Sequence, residues 1–311
     1  MTPVRITVVI RPRGGSIKSL PHQVRIGRHA STEELYDALA RSSGLSIYRL
    51  RITHESDCTL VPNSKEITIE GAGVEDMDVV TVKDLGPQIS WRAVYIAEYL
   101  GPVFIPWLFL FPLRPYLDSH YDTTTEPSSL QLLLCALLTV HFVKREYESI
   151  FVHRFSNATM PARKIVQNSG YYCVMSCNMA YWIFRPDAAA AAKELISPWL
   201  LYTGLGLFAF GELANLNTHL VLRDIRRSGT TERGVPCGFG FGVVTCPNYF
   251  FEIIAWIGIY FVSGLSWSIL FFIIIGSVQM AIWAKKKERR YRQGFGAKYK
   301  FKRFVMLPGI I

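Results

Sequence analysis

"CPNYFFEIIAWIG", residues 246–258, begins an apolar segment that is long enough to be a membrane helix. Three polar side chains, those of Asn248, Tyr249 and Glu252, stand at its start. A carboxylate at the depth of the lipid hydrocarbon costs free energy, so such residues usually face protein or water. On a helix Asn248 and Tyr249, which lie four and three residues before Glu252, share one face with it. The stretch therefore predicts a helix of an apolar bundle with a polar chamber at one end.

The 311 residues divide into two parts of unlike composition. Residues 1–90 have the composition of an ordinary soluble sequence, whereas later residues alternate long apolar runs with short polar loops. We place the boundary near residues 83–92 and predict two domains, 1–85 and 86–311. The opening residues lack the apolar run and cleavage site of a signal peptide, so we expect the N-terminus to start in the cytosol.

The first domain has the pattern of an α+β fold. Apolar residues alternate along "VRITVVIRP" (4–12), as in a strand, and "STEELYDALARSSG" (31–44) has a helix cap and helical periodicity. Further strands are predicted at "HQVRIG" (22–27), "YRLRITH" (48–54), "EITI" (66–69) and "MDVVTVKDL" (77–85). This order is that of a ubiquitin-like β-grasp, which could be an anchor or a docking module for partner enzymes.

The second domain is predicted to be an all-α polytopic membrane bundle of about six transmembrane helices, possibly with a seventh, half-buried segment at 235–247. The candidate spans are 93–111, 129–144, 170–185, 196–216, 250–265 and 267–284. The loops between them are alternately basic and not basic, and the positive-inside rule then places both termini in the cytosol.

Charge and composition exclude several classes of protein. The net charge of +10 is explained by basic cytosolic loops, so no nucleic-acid partner is expected. The six cysteines form no CxxC motif, which favours reduced thiols over a disulfide framework. The seven histidines form no HxxH or HxxxH pair, which argues against diiron chemistry, and we expect no metal.

Polar residues of the predicted spans converge at the cytosolic level. They are Glu98, Lys144, Glu148, Asn215, Asn217 and His219, together with the three polar residues of 246–258. The Tyr249 phenol is a plausible general acid toward a carbonyl that becomes an enolate. The guanidinium groups of Arg223 and Arg226 suit phosphate recognition. These features predict a dinucleotide pocket beside a buried acid, without a Rossmann fingerprint.

Four stretches carry a resemblance to a known family. They are "KDLGPQISWRAVYIAEYLGP" (83–102), "HFVKREYESIFVHRFSNATMP" (141–161), "CPNYFFEIIAWIG" (246–258) and the closing "WAKKKERRYR" (283–292) with "LPGII" (307–311). From about residue 83 onward the sequence resembles the very-long-chain trans-2-enoyl-CoA reductases of the steroid 5α-reductase family. This branch also has a ubiquitin-like N-terminal domain, so the resemblance covers nearly the whole chain.

The resemblance implies NADPH-dependent reduction of a long-chain trans-2-enoyl-CoA, the last step of each elongation cycle of very-long-chain fatty acids, which supply sphingolipid synthesis. It implies a multi-pass protein of the endoplasmic reticulum membrane that assembles with other elongation enzymes. The implied catalytic residues are Tyr249 as proton donor, with Glu98, Lys144 and Glu148. The residues implied to hold NADPH are Asn215, Arg223, Arg226, Asn248, Glu252 and Tyr291.

Two positions depart from the family pattern. Glu288 stands where the family usually has a histidine three residues before its tyrosine, here Tyr291. Phe142 stands where the steroid branch has a tyrosine, which argues against a 3-ketosteroid substrate. Two alternatives stay open: a steroid or polyprenol double-bond reductase of the same fold, and a non-enzymatic membrane scaffold.

Overall fold

The computed structural model describes residues 4–122, 126–155, 158–191, 196–226, 234–299 and 304–310. Contacts within the chain group it into two compact units. One comprises residues 1–91 with 157–164, and the other comprises residues 92–156 with 165–311.

The first unit is built on a four-stranded mixed sheet. Its strands are β1 (Arg5–Pro12), β2 (Gln23–Gly27), β3 (Leu50–His54) and β4 (Val79–Asp84), in the order β2-β1-β4-β3. The central strands β1 and β4 run parallel, and both outer pairs are antiparallel. Alternate residues of β1, namely Ile6, Val8 and Ile10, are buried, as period-two patterning requires.

One helix, α1 (Thr32–Ser43), packs on this sheet through Leu35 and Leu39, which are fully buried. Ser31 and Glu34 form a reciprocal capping box at its start, and Gly44 ends it in the left-handed conformation.

The strand predicted at 66–69 does not form. Its Thr68 makes a single isolated bridge with Ser31, so this prediction is wrong. The ubiquitin-like identity of the unit stays a prediction.

A second, two-stranded sheet pairs β5 (Gln88–Ser90) with β6 (Thr159–Pro161).

The second unit is helical. Its helices are α2 (Trp91–Leu110), α3 (Arg114–His120), α4 (Ser129–Tyr147), α5 (Arg163–Phe184), α6 (Pro198–Asp224), α7 (Pro247–Val262) and α8 (Trp267–Phe295). The apolar faces of α2 and of α4 to α8 meet in one core, whose largest fully buried side chains include Phe142, Phe184 and Met179.

Helices α6 and α7 pack with their backbones in contact because glycines line the crossing. A Cβ atom placed on Gly258 would lie 2.5 Å from the Phe208 nitrogen and 2.6 Å from the Gly204 carbonyl oxygen. A Cβ atom on Gly211 would lie 2.5 Å from the Ala255 nitrogen. Small residues allow this close approach, which brings the polar end of α6 against the first turns of α7.

The prediction of a six-span bundle is wrong. Two of the described helical stretches are long and apolar enough to cross a membrane, Trp91–Leu110 and Trp267–Lys298. Helix α7 has 16 residues, about 24 Å, which is short of a hydrocarbon core of about 30 Å. The segments predicted as the second, third and fourth spans do form helices. However, polar residues such as Lys144, Asn178 and Glu212 lower the hydropathy of these segments.

The segment 235–247, considered as a seventh half-buried element, is not a helix. Residues 238–243 form bends and turns, and Val244 makes a parallel bridge with Phe304 near the end of the chain. This places the C-terminal residues beside the first turn of α7.

Candidate active site

The end of helix α4 and the residue that follows it direct four polar side chains to one side. They are His141, Lys144, Arg145 and Glu148, and each lies three or four residues from two of the others, which is the helical repeat. The Glu148 side chain is fully buried, and those of His141 and Arg145 are 3% and 11% exposed. A π-helical turn, Glu148–Val152, follows α4 and is closed by a 2.7 Å bond from the His153 N–H to the Glu148 carbonyl. Such turns are frequent at functional sites.

Helix α6 contributes Glu212, which contacts two side chains of α4, those of His141 and Lys144. The Lys144 ammonium lies 2.9 Å from one oxygen of Glu212 and 3.3 Å from Glu148 Oε1. The other oxygen of Glu212 is 2.6 Å from His141 Nδ1. Burial opposes ionisation of Glu212, but His141 and Lys144 lower the pKa of this carboxyl to about 2.

Asn215 joins three helices at this level. Its amide oxygen accepts a hydrogen bond from Lys144, and its amide nitrogen donates to the Asn248 carbonyl at 2.8 Å and to Glu252 at 3.2 Å. The structure therefore brings five of the residues predicted from the sequence into one buried cluster: Lys144, Glu148, Asn215, Asn248 and Glu252.

Arg145 extends this cluster to α2. Its guanidinium lies 2.6 Å from Glu148, donates to the Tyr99 hydroxyl at 2.9 Å and is 3.8 Å from Glu252. Glu98, the residue before Tyr99, is 2% exposed and accepts a 2.8 Å hydrogen bond from Asn168 of α5. Glu98 thus flanks the cluster and connects to it through its neighbour.

Tyr249 lies in the first turn of α7, where it packs against Cys246, Ile253, Ala284 and Met306. Burial raises the pKa of its phenol, and the positive charge of Lys287 opposes this rise. Tyr249 therefore stays protonated at neutral pH, which is the state that a proton donor requires.

The remaining predicted residues have other neighbours. Arg223 bonds Asp224 at 2.7 Å, and the Arg226 carbonyl accepts a 2.6 Å hydrogen bond from Arg154. The Tyr291 ring lies 5.5 Å from the ring of Tyr299.

Glu288, the departure from the family pattern, is 4% exposed and binds three donors. It accepts hydrogen bonds from the hydroxyls of Thr245 and Tyr299, the latter at 2.6 Å, and from Arg292 Nε at 3.0 Å. The carboxylate thus connects α8 with the loop before α7 and with the residues that follow α8.

A second group of ligand-like atoms lies next to the cluster. One atom each of Glu148, His153 and His219 lie within 4.8 Å of one another, and the two imidazoles are 3.0 Å apart. Arg145 Nη1 is 2.6 Å from Glu148 and 3.4 Å from His219. The Arg145 guanidinium therefore places a positive charge beside Glu148 and His219, where a metal ion bound by these residues would place one.

The sequence analysis did not assign roles to His141, Arg145 or Glu212. The helical repeat could have found the first two, because they lie three residues before Lys144 and three residues before Glu148. Glu212 lies three residues before Asn215 within an apolar run, and a buried carboxylate in such a run is a signal of the same kind as Glu98.

Comparison with known proteins supplies further findings. The family model described as 3-oxo-5-alpha-steroid 4-dehydrogenase matches residues 158–311. A Schizosaccharomyces pombe protein, provisionally named an enoyl reductase, is 38% identical over 97% of this chain and 99% of its own length.

Two further relatives carry related names. A Dictyostelium discoideum protein named very-long-chain enoyl-CoA reductase is 36% identical over 89% of this chain and 91% of its own length. A human protein named trans-2,3-enoyl-CoA reductase-like is 26% identical over 79% of this chain and 68% of its own length.

Proposed function

The chain belongs to the very-long-chain enoyl-CoA reductase branch of the steroid 5α-reductase family, and we propose that it reduces long-chain trans-2-enoyl-CoA to the saturated acyl-CoA. The observation that carries this proposal is the buried cluster at Asn215, which lies beside the Tyr249 turn of α7. It places a protonated phenol close to buried amides and carboxylates in a relative of enoyl-CoA reductases.

The residues around Asn248 fit a nicotinamide cofactor. Asn248 Oδ1 is buried and has no hydrogen-bond partner within the described ranges, so it is available to accept from a carboxamide N–H. We assign Asn215, Asn248 and Glu252 to the nicotinamide end of NADPH, Arg223 and Arg226 to its phosphates, and Tyr291 to a further cofactor contact. When bound, NADPH would supply the hydride that Cβ of the substrate receives.

Tyr249 acts as the acid of the reaction. Its hydroxyl donates to the thioester oxygen as negative charge develops there, or gives its proton to Cα. Lys144, held between Glu148 and Glu212, places a positive charge near the developing enolate. Glu98 holds Asn168 and fixes the α2 side of the chamber.

The first prediction concerns this acid. Tyr249→Phe should lower kcat for reduction of a C18 trans-2-enoyl-CoA by about 10² to 10³, because one donor to a developing oxyanion is lost. The measurement is NADPH consumption by protein purified in detergent. Tyr260→Phe, a matched change eleven residues further along α7, should keep wild-type activity. Wild-type rates in Tyr249→Phe would exclude Tyr249 as the donor.

A 3-ketosteroid is the alternative substrate, because the matching family model has that description. Phe142 argues against it, since its ring is 1% exposed and lies among the rings of Tyr99, Tyr172 and Trp256. Phenylalanine has no hydroxyl, so this position cannot donate a hydrogen bond to a ketone as the tyrosine of the steroid branch could. Assaying the same preparation with a 4-ene-3-ketosteroid in place of the enoyl-CoA distinguishes the two substrates.

The setting of the reaction is a further part of the proposal. The family is membrane-bound, and two described helical stretches are long and apolar enough to cross a bilayer. We place the protein in the endoplasmic reticulum membrane with both termini in the cytosol, a position that the basic residues 285–292 favour. There it would catalyse the last step of the elongation cycle, together with other elongation enzymes, and supply sphingolipid synthesis. Residues 1–85 would form a ubiquitin-like domain and residues 86–311 the catalytic domain.

A further inference from the structure

His141 lies between two carboxylates from different helices. Its Nδ1 is 2.6 Å from Glu212 Oε1 of α6, and its Nε2 is 3.8 Å from Glu252 Oε1 of α7. A neutral imidazole carries one N–H and would leave its other nitrogen, a lone-pair acceptor, facing a carboxylate. An imidazolium carries an N–H on both nitrogens and matches both neighbours.

The charge balance of the cluster leads to the same protonation state. With His141 protonated, three cations are matched by three carboxylates within one buried network; they are His141, Lys144 and Arg145 with Glu148, Glu212 and Glu252. With His141 neutral, the network keeps one uncompensated negative charge away from water, which is costly.

Aromatic rings pack around the imidazole. Trp256 and Phe142 make edge-to-face contacts with it, at centroid distances of 4.8 Å and 5.0 Å. The His141 side chain is 3% exposed, so the neighbouring groups of the cluster determine its protonation state more than bulk water does.

Resting on the proposed function, we propose that His141 is held as an imidazolium by Glu212 and Glu252 and is the proton store of the site. Once Tyr249 has given its proton to Cα, the phenolate regains a proton through Glu252, which is one helical turn away on α7. Glu252 accepts that proton from His141 Nε2, and water then returns one proton to the imidazole. Each turnover thus consumes one proton from solvent. Glu212 is the positioning residue, because it acts on His141 and does not touch the substrate.

The test compares the pH profiles of kcat. Because the proposed turnover needs a protonated cluster, wild-type kcat should fall at alkaline pH. In Glu212→Gln the imidazolium loses a neighbouring anion, so this alkaline limb should move to lower pH and kcat should fall by about 10². His141→Asn should lose the limb altogether, with KM for the acyl-CoA changed less than kcat. An unmoved limb in Glu212→Gln would overturn the proposal.

Asp118→Asn is the structural control, because Asp118 is a mostly buried carboxylate that lies 4.0 Å from Arg114 in another ion pair. It should lower thermal stability without moving the alkaline limb. A readout independent of turnover is the ¹⁵N NMR signal of His141, identified by its loss in His141→Asn. Imidazolium nitrogens in the wild type are expected at the pH of maximal kcat, and neutral-imidazole nitrogens there would overturn the proposal. If the protein did not reduce enoyl-CoA, the proposed function would be wrong. The ¹⁵N signal of His141 would still test its protonation state separately.

Discussion

At the scale of single residues, His153 and His219 form a neutral pair. The His153 and His219 nitrogens are 3.0 Å apart, and Arg145 lies 3.4 Å from His219. Burial, followed by the neighbouring His219, lowers the pKa of His153 to about 2. Below the usual histidine pKa of about 6.5 the unfolded chain therefore binds a proton at this position, whereas the folded chain does not.

This difference predicts a loss of stability in acid. Since the unfolded state binds more protons below pH ~6.5, the free energy of unfolding should fall as pH decreases from 6.5 to 5, by on the order of 1 kcal/mol for this residue. His153→Gln removes the titrating group and should lose less stability over that interval. Thermal midpoints at several pH values measure it, with His120→Gln, at an exposed position, as control. Parallel pH dependences of His153→Gln and wild type would contradict the prediction.

The polar residues of the candidate site were the feature that the sequence predicted most directly. The helical repeat and the cost of buried polar groups predicted Lys144, Glu148, Asn215, Asn248 and Glu252, which the structure brings together. The same arguments could not show which helices would face each other, because that depends on contacts between segments distant in the chain.

At the scale of elements, the α6–α7 crossing sets the geometry of the cluster. The glycine contacts hold α6 close enough for Asn215 to reach the Asn248 carbonyl at 2.8 Å. A single sequence shows the glycines but does not show which helix they meet. The same limit affected the span count. Composition showed apolar runs, but helix length and interrupting polar residues leave two stretches, among the residues that the structure describes, that are long and apolar enough to cross a membrane.

Gly258→Ala should therefore disturb both stability and the site. Its Cβ would lie 2.5 Å from the Phe208 nitrogen, so the helices must separate, at a cost of about 1–3 kcal/mol. We expect a lower thermal midpoint and a higher KM for NADPH, since Asn215 and Asn248 move apart. Gly206→Ala, on α6 with nothing within 4 Å of the added Cβ, is the matched control and should be at least as stable as wild type. Equal KM values in the two variants would show that the crossing does not position the cofactor site.

At the scale of the whole helical unit, the end of the chain helps to hold the start of α7. Thr245 and Cys246 donate backbone hydrogen bonds to the carbonyls of Phe304 and Val305, and Met306 is 1% exposed among apolar neighbours. Glu288 fastens the same loop through the Thr245 hydroxyl. The tail is thus part of the support of Tyr249, which a linear inspection of the C-terminal motif could not show.

Glu288→Ala should release this support. It removes the acceptor of the buried hydroxyls of Thr245 and Tyr299, and leaving buried polar groups unsatisfied costs about 1–3 kcal/mol. We expect a lower thermal midpoint, faster proteolysis after α8 and reduced kcat. Glu288→Gln keeps one acceptor oxygen and should fall between the two, while Arg289→Ala, exposed on the next position, should match wild type. If Glu288→Ala kept wild-type stability and lost only NADPH affinity, Glu288 would act on the cofactor, and the support of α7 would have to come from the tail backbone alone.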